Sequence, residues 1–375
     1  MIIAVNTRLL LKGKMEGLGW FACETLRRIT VQHPEHRFVF FFDRPFADEF
    51  IFGDNVKPVV LFPPARHPYL WYLFFEWAVP AALKKEKADL FLSPDGWVSL
   101  RTPVKTVNVI HDLNFEYHPE YIKKSVLNYY NSYFHRFAEK SSRIATVSEF
   151  SKNTIIEKYK QPADKIDVVY NGAEEGYKPL NEEEKKAVRQ RYTNGASYFI
   201  FVGLLHPRKN IANLFRAYEL FRDQHGDAVK LLIVGEKKWW KGEMQEVYEQ
   251  MKYRDDVVFT GRLSLAELQQ VMASALALVY VSVFEGFGIP ILEAMQSGVP
   301  VITSNVTSMP EVAGNAALLT DPFSPGSIAN SMQQLAGDSS LHSNLVSKGL
   351  IRCSDFSWDK TAAALWDTIE KAAGK

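Results

Sequence analysis

VFEGFGIPILEAM, residues 283–295, follows an apolar run and decides how the chain is read. A helix cannot run through Gly286, Gly288 and Pro290, so Glu285 stands on a loop, whereas Pro290 suits the first turn of a helix carrying Glu293. The stretch is therefore a strand turning into a helix through a glycine-rich bend. Its glycines let the backbone approach a ligand closely, and the helix start favours an anion such as a diphosphate. Glu293, about one turn in, can reach a ribose hydroxyl beside that anion. Glu285 can meet a sugar hydroxyl or a reacting group. On spacing alone, a plain βα turn with two solvated glutamates stays equally open, because glycine-rich turns are common.

The same alternation of short apolar runs and helix-period stretches extends along the whole chain, the pattern of parallel sheets covered on both faces. Strands are expected at 2–5, 37–42, 56–61, 90–92, 106–110 and 143–147, then at 198–202, 229–234, 257–260, 276–279, 299–303 and 317–319. Helices fit between them at about 18–32, 68–86, 120–140, 210–225, 242–253, 264–273 and 290–297. The polar, turn-rich segment NGAEEGYKPLNEEEKK puts the seam between two halves near Tyr177–Pro179, with a helix beginning near Glu182. Two Rossmann-like α/β domains, 1–178 and 179–358, are expected to face each other across a cleft, with ligands at the carboxyl ends of the strands. The last helix, 359–375, is expected to pack back on the first domain.

Composition fits this reading and excludes others. The chain has 375 residues, 47% hydrophobic and 23% charged, enough for two cores of ordinary size. A net charge of +1 without a long Lys/Arg block argues against a nucleic-acid binder. The two cysteines, Cys23 and Cys353, have neither zinc-like nor redox-like spacing, so a disulfide framework is not expected. The N-terminus MIIAVNTRLL reads as a buried strand rather than a signal peptide, and no apolar run reaches membrane-span length, so a cytoplasmic protein is expected.

A second cluster sharpens the reading of the first. FVGLLHPRKN, residues 201–210, is again a strand, a glycine (Gly203) and a loop, here carrying Arg208 and Lys209 at the mouth of the next helix. Two adjacent cations oppose the helix dipole there, so an anion bound between them explains them better than a solvated basic loop. HDLNFEYHPE begins directly after a strand, which places His111 where an imidazole can bond a hydroxyl, or where it simply caps backbone. His118 and His206 have weaker claims. Ser148 and Ser151 in TVSEFSK read as a helix N-cap. GLGWF, residues 17–21, lacks the full dinucleotide fingerprint. No Asp-x-Asp and no metal-ligand spacing occurs, so no metal and no cofactor is expected. In HPYLWYLFFEWAVPAALKK, residues 67–85, the stripe Leu70, Leu73, Phe74, Trp77 and Ala81 predicts a buried helix. A membrane-edge or acceptor surface is the alternative, given the following Lys84, Lys85 and Lys87.

Taken together, FEGFGIPILEAMQSGVPVITSN, FVGLLHPRKN, VVYNG at 168–172, TVSEFSK, HDLNFEYHPE and SMPEVAGNAALLTDP resemble family 4 of the retaining glycosyltransferases, which has the GT-B fold. The resemblance covers nearly the whole chain and is stronger in the second half. It implies that Glu293 binds the ribose of a nucleotide sugar, Arg208 and Lys209 the diphosphate, and Glu285 the hydroxyls of the transferred sugar. Phe287, Gly288 and Ile289 would offer loop backbone groups, Arg262 and Leu263 would hold the nucleobase, Gly203 would join the donor-binding set, Gly19 would lie against the diphosphate, and His111 beside the sugar. The chain departs from the family in carrying Leu204 where many members have arginine, and in an N-terminal loop one glycine short. The implied activity is metal-independent transfer of a hexose from GDP-mannose or a UDP-hexose to a saccharide or lipid-linked acceptor, with possible peripheral membrane contact. A nucleotide-sugar epimerase or hydrolase, or a non-catalytic nucleotide-sugar-binding protein, is the alternative.

Overall fold

A computed structural model of the chain describes residues 1–224 and 229–374. The expected helix end at His225 and the chain end at Lys375 lie outside the described residues. The chain divides into two compact units, one built from Met1–Gly172 with Ser357–Lys375, the other from Ala173–Phe356.

The first unit holds seven parallel strands: β1 (Ile2–Asn6), β2 (Arg37–Phe42), β3 (Val56–Val60), β4 (Leu90–Ser93), β5 (Lys105–Val109), β6 (Arg143–Thr146) and β7 (Ile166–Val168). Their order is β3-β2-β1-β4-β5-β6-β7. Near-continuous apolar runs such as RFVFFF in β2, buried along all but the first residue, are what a sheet covered on both faces requires. The helix Trp358–Ala373 belongs to this unit, where it packs on the helix Gly17–Gln32. Arg28 donates to Asp359 at 2.6 Å, and Lys371 reaches Asp167 at 2.7 Å. The Thr361 hydroxyl donates to the Tyr170 carbonyl at 2.7 Å, which keeps the chain in the first unit up to Gly172. The polar segment around 177–179 thus falls inside the second unit.

The second unit holds β8 (Tyr198–Val202), β9 (Lys230–Val234), β10 (Val257–Gly261), β11 (Ala277–Tyr280), β12 (Val301–Ser304) and β13 (Ala317–Thr320), in the order β10-β9-β8-β11-β12-β13. The helix Glu182–Thr193 starts where expected, on an Asn181–Glu184 capping box.

One expectation fails instructively. The helix read over 68–86 is interrupted: Pro68–Leu73 and Val79–Glu86 are α-helical, but Phe74–Ala78 is a π turn. Pro80 has no N–H and crowds the carbonyl one turn back, a conflict that a wider turn relieves. The extra residue rotates everything after it. Phe74, Phe75, Val79, Ala82 and Leu83 face the core, and the expected core residues Trp77 and Ala81 turn outward.

Candidate functional site

The switch point of the second sheet lies between β8 and β11, where successive strands depart in opposite directions. The loop after β8 becomes a short 3₁₀ turn, Pro207–Lys209, capped by His206, whose Nδ1 accepts from the Arg208 amide at 3.2 Å. The loop after β11 carries Glu285 and ends at Gly288, which takes φ 105° to start the helix Ile289–Gln296, with Pro290 in its first turn. The two loops meet. Arg208 Nη1 lies 3.0 Å from Glu285 Oε2, and Lys209 Nζ lies 2.6 Å from Oε1. Lys209 also donates to the Tyr280 hydroxyl at 2.6 Å, and Arg208 to the Phe284 carbonyl at 2.9 Å. Glu285 is itself the anion between the two cations. Burial pushes its carboxyl up, but Arg208 and Lys209 outweigh burial and hold it down to about 2.

A third loop, after β12, positions Glu285 from the other side. Thr307 Oγ1 accepts from the Glu285 amide at 3.3 Å, while Ser308 Oγ donates to the carbonyls of Glu285 and Phe287 at 2.9 and 3.0 Å. Thr307 holds φ 60°, a conformation costly for a β-branched residue. The sequence reading missed Thr307, Ser308 and Tyr280. The TSNVTSMP stretch holds turn formers but no signal that a threonine would be forced left-handed.

Glu293 is in a different setting. It is half-buried. The Tyr177 hydroxyl faces it without making a full hydrogen bond, and Glu174 adds negative charge nearby. Burial therefore prevails and raises the Glu293 carboxyl to about 7. Phe287 is 4% exposed, its ring 5.7 Å from that of Phe356. Gly203 follows β8, Ile289 opens the helix, and Arg262 and Leu263 follow β10 at the same end of the sheet. Burial, then Arg208 and Lys209, lower His206 to about 4, which leaves it neutral against the Trp239 ring.

In the first unit, His111 follows β5. Its Nε2 lies 2.9 Å from the Pro94 carbonyl, its ring packs edge-on to Phe21 at 4.8 Å, and Ser151 Oγ donates to its carbonyl at 3.1 Å. Burial lowers its basicity, so the neutral ring donates from Nε2 and leaves Nδ1 as an acceptor. Ser148 is a helix cap. Gly19 is fixed by close approach: a Cβ there would lie 2.8 Å from the Leu9 carbonyl, whereas one at Gly17 would meet nothing. At the switch point of this sheet, between β1 and β4, Arg8 pairs with Asp95 at 2.6 Å and lies over the Trp97 ring at 4.2 Å. The sequence reading overlooked this pair, although a charge two residues past a buried strand, at Arg8 and again at Asp95, was its signal. Among the described residues no group of three or more His, Cys, Asp or Glu could hold a metal ion.

Residues 16–177 match the family profile "Glycosyltransferase Family 4", and residues 182–350 match "Glycosyl transferases group 1". The chain is 29% identical to O-antigen chain mannosyltransferase B of Escherichia coli, over 93% of this chain and 94% of that one. It is 29% identical to the O-antigen chain mannosyltransferase RfbU of Salmonella typhimurium over 68% of this chain and 67% of the relative. Among solved structures, a sucrose-phosphate synthase from Thermosynechococcus elongatus superposes with TM-score 0.79 at 16% identity, covering 99% of this chain and 98% of that one. HepE from Anabaena, solved with UDP and glucose, superposes with TM-score 0.75 at 19% identity, covering 98% and 99%. Two Rossmann-like units with this strand order have the GT-B fold. The chain belongs to glycosyltransferase family 4.

Two substitutions test the site. Because the Glu285 carboxyl is held below its unfolded value near 4.5, it contributes stability above that pH which is lost as pH falls towards about 2. Glu285→Gln should flatten this acid limb, removing roughly 3 kcal/mol of its pH-dependent part, as read by urea unfolding across pH. An unchanged limb would show that the carboxylate is not held by the two cations. Thr307→Gly relieves the backbone strain but removes the acceptor for the Glu285 amide. Its melting temperature should stay at or above the wild-type value while turnover drops roughly five-fold, the worth of one hydrogen bond. Turnover at the wild-type rate would mean that the strain serves no positioning purpose.

Proposed function

We propose that this glycosyltransferase moves a hexose from a nucleoside-diphosphate sugar to a hydroxyl of a saccharide or lipid-linked saccharide, with retention of anomeric configuration and without a metal ion. The observation that carries the reading is Glu285 held jointly by Arg208 and Lys209 beside the start of the helix Ile289–Gln296. Two cations against one carboxylate leave that corner net positive, next to the positive end of a helix dipole. Such a corner stabilises the charge that develops as a diphosphate departs. The mannosyltransferase names of the relatives make GDP-mannose the first donor to test, and the UDP-bound neighbour makes a UDP-hexose the second.

The groups divide the work by their charge state. Glu285 stays ionised at neutral pH, so it accepts hydrogen bonds from the sugar's hydroxyls and does not supply a proton. Glu293 binds the ribose hydroxyls when ionised. Arg262 and Leu263 hold the base, and the backbone at Gly203, Phe287, Gly288 and Ile289 lines the phosphates and sugar. Gly19 and His111 are the first unit's own candidate ligand contacts, His111 through its acceptor Nδ1. A lipid-linked acceptor would bring the enzyme to the inner face of a membrane.

Lys209→Ala should lower transfer from GDP-mannose at least a hundred-fold, on the order of 3 kcal/mol of lost charge stabilisation. Wild-type transfer should persist in EDTA and give a product with the donor's anomeric configuration by NMR. Undiminished transfer in Lys209→Ala, or inversion, contradicts the reading. Donor affinity should tighten between about pH 6 and about pH 8 as Glu293 ionises, and Glu293→Gln should be weak and flat over that window. A slope retained in Glu293→Gln would assign the titration to a group other than Glu293.

A further inference from the structure

His206 caps the turn that carries the two cations, and it is itself supported from the far side. Its Nδ1 accepts from the Arg208 amide at 3.2 Å and its carbonyl accepts from the Lys209 amide at 2.8 Å, so the placing of both cations starts from this one residue. Three residues of 3₁₀ turn are a weak support for two adjacent like charges. The imidazole ring packs edge-on against the half-buried Trp239, with centroids 4.7 Å apart and planes at 68°.

Trp239 belongs to EKKWWKG, residues 236–242, in the loop after β9. Three lysines around two tryptophans read at first as a second anion site, but the contacts of the lysines oppose that reading. Lys237 Nζ lies 3.6 Å from the Phe259 ring centroid and 4.4 Å from that of Trp240, Lys238 pairs with Glu236 at 3.0 Å, and Lys241 Nζ lies 5.6 Å from the Trp239 ring. The loop is anchored instead. The Trp240 ring packs edge-on to those of Tyr248 and Phe259 at 5.3 and 5.2 Å, while the Leu205 amide donates to the Glu236 carbonyl at 3.3 Å. Gly235 lets the loops after β8 and β9 cross, since a Cβ there would run into the Gly203 carbonyl oxygen. The consecutive tryptophans thus have separate tasks: Trp240 fixes the loop, and Trp239 is presented to His206.

We infer that Trp239 is a positioning residue for donor binding, bracing the turn of Arg208 and Lys209 through the His206 ring. The inference rests on the reading that these two cations hold the donor's diphosphate. The test is a double-mutant cycle on the affinity for GDP and for UDP, measured by titration calorimetry well below the melting temperature. His206→Asn removes the ring but keeps an acceptor for the Arg208 amide, asparagine being a good N-cap. Trp239→Ala and His206→Asn should each weaken nucleotide binding roughly five-fold, in line with the contribution of an aromatic pair, and the double variant should lose no more than either alone. Trp239→Phe should restore most of the affinity, which a general loss of loop packing would not predict for a smaller ring. Melting temperatures check that the variants are folded. Additive losses in the double variant, or no rescue by Trp239→Phe, overturns the proposal. A loss in Lys209→Ala with none in Trp239→Ala overturns the brace alone. Undiminished affinity in Lys209→Ala, or no nucleotide binding by the wild type, overturns the donor reading and the brace with it.

Discussion

The second unit is organised around one buried carboxylate. A charge as enclosed as Glu285, at 6% exposure, is costly unless paired and hydrogen-bonded. Satisfying it draws three strand ends together. Arg208 and Lys209 come from the loop after β8, Glu285 from the loop after β11, and Thr307 and Ser308 from the loop after β12, and these strands are neighbours in the order β8-β11-β12. Main chain reinforces the side chains, since the Val283 amide donates to the Arg208 carbonyl at 2.9 Å. The glycine-rich bend is thus pinned on both sides before any ligand arrives, and the strained Thr307 is the local cost of that rigidity.

The first unit solves the same topological problem with different chemistry. Both sheets share one strand order, and in both the gap at the switch point is closed by a cation after the first strand and a carboxylate after the fourth. Arg8 and Asp95 pair one to one. Asp95 also takes the Asn6 side-chain amide at 2.8 Å, and Trp97 and Phe75 cover the guanidinium. Little charge is left over there. In the second unit two cations share one carboxylate, so a positive excess remains, as the proposed diphosphate site requires.

Legibility followed the range of the forces involved. The strands were readable because burial on both faces writes an apolar run into local sequence, and of the seven strands in the first sheet only β7, IDV with a central aspartate, escaped notice. Helix starts were readable where a cap announced them, as at Asn181 and Pro290. The helices Pro325–Gly337 and Ser339–Arg352 were not assigned, their glycines and serines diluting the period. The phase of the aromatic helix was misread because periodicity assumes an unbroken α-turn, and one π turn ahead of Pro80 inverts the fate of Trp77. In the site, loop positions and chemical types were legible for Glu285, Arg208 and Lys209. That the three bind one another was not, since nothing local indicates that residues 76 and 77 positions apart will meet.

The two glutamates that frame the bend show why environment, rather than residue type, has to assign a role. Glu285 and Glu293 are eight positions apart, yet one carboxyl is pushed to about 2 and the other to about 7. The first has two cations within hydrogen-bond distance; the second has burial, a tyrosine that does not quite reach it, and a like charge nearby. Environments that separate two carboxyls so far assign different jobs to them. A group ionised at every physiological pH is a fixed electrostatic element that can orient a sugar but cannot exchange protons with it. A group near neutrality is responsive, and a hydroxyl-rich ligand donating hydrogen bonds to it would favour its ionised form. Binding at Glu293 would therefore carry a proton release that binding at Glu285 would not, although both residues flank the same helix start.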